Sequence, residues 1–143
     1  MVHHAPGGPL DLPTHTVARL MCDAAIGRVV LSPAGVPLQL GRRTRLFSKD
    51  QRRALHARDG GCRAPGCTRP PRYTDAHHIT PWETGGATDL TNAILLCRYH
   101  HTLIHHPHRP WHITADNPHQ GANGPLTFTG PAGQHTHSHP RAP

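Results

Sequence analysis

Three observations in this chain predict a small α+β domain stapled by a bound metal rather than by a large apolar core. Only 35% of the 143 residues are hydrophobic and 4% are aromatic, against 16 Pro and 14 Gly. A chain this poor in apolar surface needs a staple, and a metal ion is one. Cys62 and Cys67 are followed about thirty residues later by Cys97 and His100. Between Tyr73 and His106 the pattern reads strand, loop, strand, helix.

Taken in order, residues 1–13 are rich in Gly, Pro and His and are expected to be disordered. Thr14 to Ala25 places Val17, Leu20, Met21 and Ala24 on one helical face, with Cys22 as a core residue. Arg28-Val29-Val30-Leu31 and Val36-Pro37-Leu38-Gln39-Leu40 flank Ser32-Pro33-Ala34-Gly35, the pattern of a hairpin. Ser48 caps a helix from Lys49 to about Arg58, which Gly60-Gly61 ends. Arg52, Arg53 and Arg58 around Leu55 make that helix either a solvated face or a phosphate-facing one.

Tyr73 to Ile79 alternates as a strand does, and Pro81 ends it. Gly85-Gly86 and Asp89 mark a long loop. Ala93-Ile94-Leu95-Leu96 is a short apolar run that pairs back on the first strand, and Arg98 to His106 forms a helix. Trp111-His112-Ile113 and Leu126-Thr127-Phe128 read as two short strands. Residues 130–143 are again expected to be disordered. No internal repeat is visible.

The net charge is +7 with histidines neutral, and the pI is about 10.3. Arginine carries almost all of it, since Lys49 is the only lysine. Such a balance points to a polyanionic partner, nucleic acid first; the codon bias of a GC-rich genome produces the same excess. Residues 1–20 lack the apolar run of a signal peptide. No segment approaches the roughly 20 apolar residues of a membrane span. A reducing, cytoplasmic setting is therefore expected, where clustered cysteines serve as metal ligands rather than disulfides.

Two metal sites are interleaved in this pattern. Pro65-Gly66 inside the Cys62-x4-Cys67 pair favours a tight turn that aims both sulfurs inward. With Cys97-x2-His100 they make a Cys3His set suited to tetrahedral structural zinc. His101 and His105, four apart on a helix, offer two imidazoles to a second metal. His77 and His78 point to opposite sides of their strand, so one can face that metal and the other a reacting water. His100, His101, His105 and His106 lie close enough to trade roles; His100 is assigned to zinc because it completes the C-x2-H pair, and His106 is left to solvent. Asp75 is given no ligand role.

Asp75-Ala76-His77-His78-Ile79, Trp82-x2-Gly85-Gly86-x-Thr88-Asp89-Leu90-x-Asn92 and Leu96-Cys97-x2-His100-His101-x3-His105 resemble the HNH endonucleases, also called ββα-metal nucleases. The order His, Asn, His is intact, and the likeness covers roughly residues 62–106. The stretch from about Ala18 to Gly61 resembles the segment that precedes the nuclease module in a bacterial group of HNH proteins. Those proteins usually carry a longer helical domain upstream, so a short paralogue or truncated copy is expected. The resemblance divides the chain into 14–58, a helix-hairpin-helix remnant of that domain; 59–114, the HNH nuclease domain; and 115–143, a short strand and disordered tail.

The resemblance also implies roles. His78 is the expected general base, since a neutral imidazole titrates near physiological pH. Asn92 is expected to hold the loop beside it. His77, His101 and His105 are the expected ligands of a catalytic divalent metal, Mg²⁺, Mn²⁺, Ni²⁺ or Zn²⁺; many relatives have Asp where His77 stands. Arg63, Arg69, Arg72 and Arg98 flank the site and are expected to meet phosphates. Trp82 is expected to pack the loop over the strands. The implied partner is DNA, cleaved by phosphodiester hydrolysis with little sequence specificity. The competing readings are a non-catalytic zinc-stabilised nucleic-acid-binding module and a truncated mobile-element remnant. The oligomeric state is left open.

Overall fold

The computed structural model describes Gly35 and residues 37–141. The expected disorder of 1–13, the expected helix over 14–25 with Cys22, and the first arm of the expected hairpin lie outside these residues. From its second arm, Gln39 bridges antiparallel to Asp89.

Helix α1 spans Lys49–Asp59. Ser48 and Gln51 close a capping box at its start, and Gly60 ends it with φ +61, a left-handed turn that glycine adopts without penalty. Its inward face is Gln51, Leu55 and Asp59, so a single apolar residue and two polar ones dock the helix. Gln51 Nε2 donates to the carbonyls of Leu38 (2.8 Å) and Thr88 (2.7 Å), which ties three segments together. Arg52 and Arg53 face solvent, whereas Arg58 turns inward to Asp59 and the carbonyls of Leu90 and Ala93.

Strands β1 (Thr74–His78) and β2 (Ala93–Cys97) pair antiparallel, with His78 opposite Ala93 and Thr74 opposite Cys97. Every residue of β2 is buried, which explains its unbroken apolar run: it is covered on both faces. Ala93 and Leu95 pack on one side with Phe47 and Leu55; Ile94 and Leu96 pack on the other with Ile113, Leu126 and Phe128. Helix α2 (Arg98–Ile104) follows β2 directly, with Cys97 as its N-cap residue. The expected strand-loop-strand-helix unit is thus present, and the molecule is small and mixed in helix and sheet.

Strands β3 (His112–Ala115), β4 (Leu126–Thr129) and β5 (His135–Ser138) form a second, antiparallel sheet in that order. Strand β5 corrects the expectation of a disordered tail over 130–143. Its composition is polar because its exposed side chains face water, where Thr127 and Thr129 meet His137 and His135 across the ladder. Its one buried residue, Ser138, binds both the backbone carbonyl and the guanidinium of Arg63. No helix among the described residues is long and apolar enough to cross a membrane.

Candidate active site and metal centres

The Cys3His set assembles at the junction of the 62–67 turn and the start of α2. Gly66 adopts φ +73 in that turn, and Cys67 N–H donates to Ala64 O at 3.1 Å. Gly61 is required on steric grounds, because a Cβ there would lie 2.4 Å from Arg69 O. The ligating atoms of Cys62, Cys67, Cys97 and His100 all lie within 4.8 Å of one another. Cys97 Sγ is 3.2 Å and Cys62 Sγ 3.6 Å from His100 Nδ1, while Cys67 and Cys97 sulfurs are 4.0 Å apart. A tetrahedron with Zn–S arms of roughly 2.3 Å has edges of about 3.8 Å.

The proton chemistry of this set favours a cation. Burial, with Cys67 beside it, pushes the Cys62 thiol up to about 12. Burial acts on Cys97 in the same sense, but the His100 amide and the neighbouring thiols outweigh it and bring Cys97 below its ordinary value. Three thiolates this close ionise together only when a positive ion offsets them. Burial also lowers His100, keeping its imidazole neutral and free to ligate.

The second cluster is built from β1 and α2. His77, His101 and His105 bring their ring nitrogens within 4.8 Å of one another. The ring centroids are 4.8–5.2 Å apart, all near edge-on. His77 is 6% exposed. Burial, then the adjacent His101 and His105, pulls it down to about 3. Burial lowers His101 as well. Imidazoles converging on one point are the donor set of a borderline divalent ion, and three protein donors leave further positions open. Asp75, given no ligand role, stands outside this group.

His78 leaves β1 on the other face and borders the same cleft, an open volume of about 240 Å³ that His77, His101 and His105 also line. Its ring stacks on Phe47 at 4.3 Å, and its Nε2 lies 3.0 Å from Thr88 Oγ1. Burial lowers its pKa; Arg45 pushes the same way and Glu83 opposes. Asn92 clamps the loop beyond it. Its side-chain oxygen accepts from Thr80 N–H (2.8 Å), and its amide donates to Thr80 O (3.0 Å) and Ala87 O (2.8 Å). Its carbonyl accepts from Ile79 N–H at 2.9 Å. Gly86 is indispensable here, since a Cβ would sit 1.8 Å from Thr80 O.

The arginines divide differently from the expectation. Arg69, Arg72 and Arg98 are exposed, and Arg72 lies over the Tyr73 ring at 4.7 Å. Arg63 does not face outward: it is 1% exposed. Its guanidinium is held by Asp59 (3.1 Å), Ser138 (3.2 Å) and the carbonyls of Ala122 (3.0 Å) and Gly124 (3.1 Å). It is a core cross-link and cannot meet phosphate. Arg45, which the sequence did not single out, and Arg52, on the helix face left between solvent and phosphate, line the cleft instead. Arg45 is paired with Glu83 at 2.7 Å on the rim. Trp82, also lining the cleft, carries Arg42 stacked on its ring at 4.2 Å. His106 is half-buried rather than left to solvent, and its Nδ1 accepts from the amides of His108 and Arg109.

Two family models match this chain. Residues 62–107 match the family model "HNH endonuclease", and residues 3–59 match "Domain of unknown function (DUF222)". The uncharacterized protein Rv1945 of Mycobacterium tuberculosis is 36% identical over 98 residues, covering 68% of this chain and 21% of that protein. The uncharacterized protein Rv1128c of the same organism is 39% identical over 97 residues, covering 68% and 21%. The uncharacterized protein Mb1179c of Mycobacterium bovis is 36% identical over 98 residues, with coverage of 68% and 21%. The chain thus spans about a fifth of the length of these curated relatives. No solved structure matches it. With the ββα unit, the His triad and the Cys3His set in place, residues 62–107 belong to the HNH endonuclease family, preceded by a DUF222 segment.

Proposed function

We propose that this chain is a metal-dependent endonuclease that hydrolyses phosphodiester bonds in DNA. The observation that carries the reading is one cleft bordered by three converging imidazoles and by His78 on the opposite face of β1. His77, His101 and His105 would hold the divalent ion, Mg²⁺, Mn²⁺, Ni²⁺ or Zn²⁺. When bound there, such an ion supplies Lewis-acid stabilisation of the phosphate and of the leaving 3′ oxygen.

The remaining work falls to the chain. His78 is neutral at physiological pH, because burial and Arg45 hold its pKa down. It takes the proton of the water that attacks in line with the leaving oxygen. Asn92 keeps the loop after His78 from moving during that transfer. Arg45 and Arg52 on the cleft, with Arg69, Arg72 and Arg98 outside it, meet backbone phosphates, a contact that is insensitive to sequence. Cys62, Cys67, Cys97 and His100 hold structural zinc. A reducing, cytoplasmic setting suits this reading, since the three free cysteines among the described residues would act as ligands.

A plasmid-nicking assay with Mg²⁺, Mn²⁺ or Ni²⁺ tests the proposal. The native chain converts supercoiled to open-circular DNA, and His78→Ala loses about 10²–10⁴-fold in rate. Cleavage that survives His78→Ala sinks the mechanism. Binding without cleavage by the native chain favours a zinc-stabilised binding module instead.

A further inference from the structure

Thr88 is completely buried in the loop between β1 and β2. Its main chain is secured without its side chain: its N–H donates to Gly41 O at 2.7 Å, and its carbonyl accepts from Leu40 N–H (3.2 Å) and Gln51 Nε2 (2.7 Å). The hydroxyl is therefore spare, and it faces His78. It has one hydrogen to give, with the Arg45 carbonyl at 3.3 Å and His78 Nε2 at 3.0 Å both in reach. A carbonyl can only accept, so the sense that satisfies all three groups at once runs from Nε2–H to the hydroxyl oxygen and from the hydroxyl hydrogen to the carbonyl. In that sense His78 Nε2 carries the ring N–H.

In a neutral imidazole that leaves Nδ1 as the only basic nitrogen. Nδ1 has no hydrogen-bond partner among the described residues, and no buried side-chain nitrogen or oxygen among them lacks one. Nδ1 is accordingly accessible to solvent, and His78 is a lining residue of the cleft.

We propose that Thr88 is a positioning residue: it relays the Arg45 carbonyl to His78 Nε2 and so locks the imidazole in the tautomer that presents a bare Nδ1 to the cleft. The inference rests on the reading of His78 as the base, and adds which nitrogen accepts the proton and what decides it. Thr88→Val keeps the shape and the main-chain bonds and removes the relay. Thr88→Ser keeps the relay.

The test uses the full zinc-loaded chain, labelled with ¹⁵N at histidine and held above pH 8, where the imidazoles are neutral. The His78 ring signals are identified by their loss in His78→Gln. In the native chain and in Thr88→Ser, Nε2 gives a protonated-type shift and Nδ1 a bare-type shift. In Thr88→Val the two tautomers mix. In nicking assays Thr88→Val lowers kcat by about 10–100-fold, the usual cost of removing a partner that orients a histidine, with KM unchanged; Thr88→Ser restores it. A native His78 protonated at Nδ1 overturns the proposal, as does a Thr88→Val chain with native tautomer and native rate. If the native chain cleaves nothing while its tautomer still shifts in Thr88→Val, the positioning role stands and the assignment of His78 as base falls.

Discussion

Arg63 lies next to a zinc-ligand candidate in an arginine-rich stretch, and its charge points it at phosphate. Its surroundings decide otherwise. Asp59, four residues earlier, is fully buried and accepts from Arg58 (2.7 Å), Arg63 (3.1 Å) and the Leu95 amide (2.9 Å). Asp59→Asn keeps the shape but leaves a buried guanidinium without its counter-charge. The expected cost is about 3–5 kcal/mol, read as a lower urea midpoint; an unchanged midpoint refutes the cross-link. His77 supplies a pH dependence of known sign. Its folded pKa of about 3 lies below its ordinary 6.5, so between these values the unfolded chain takes up a proton that the folded one refuses. Stability contributed by neutral His77 is complete above about pH 6.5 and is lost as pH falls toward 3. Urea midpoints measured at pH 4.5 and 7.5 should differ less in His77→Gln than in the native chain.

At the level of elements, β2 and β5 are opposite cases. The five-residue run from Ala93 to Cys97 is apolar throughout, so burial on both faces is written into it. Strand β5 reads His-Thr-His-Ser, with one buried side chain. It is a strand because Leu126 to Thr129 offers it a ladder and Arg63 offers Ser138 a partner. Ser138→Ala should cost about 1–3 kcal/mol, because the buried Arg63 carbonyl and guanidinium each lose a partner. His135→Ala, exposed on the same strand, should stay within about 0.5 kcal/mol. Thermal melts of the two variants check this; equal melting temperatures would count against β5 as a structural strand. Helix α2 shows a third case. Its seven residues and the His105 that caps them serve two sites, because His100 turns toward the cysteines while His101 and His105 turn toward His77.

That shared helix couples the two sites across the whole molecule. The Cys3His set anchors the start of α2, and the His triad depends on where α2 points. With two small apolar clusters on either side of β2, a structural ion contributes folding free energy outright. Cys62→Ser, Cys97→Ser or strong chelation should therefore unfold the domain, seen as loss of its circular dichroism. Metal analysis of the native chain should give about one tightly held zinc per chain. A chelated protein that keeps its fold would end the staple reading.

Both candidate ligand sets could be read from the chain because their defining spacings are local. Cys62 to Cys67, Cys97 to His100 and His101 to His105 each lie within a turn or two, where backbone geometry alone sets direction. The ββα order was legible for the same reason, from alternation, an apolar run and a cap. The places of Arg63, Thr88 and Arg45 were not, and the pattern leaves Arg52 between two alternatives. Ser138 is 75 residues from Arg63, and Arg45 is 43 residues from Thr88. Which arginines are exposed and which are buried, and what His78 Nε2 meets, depend on partners brought together only when the loop between β1 and β2, α1 and the second sheet close around β2. No local pattern encodes such distant hydrogen bonds, so those answers belong to the packed molecule.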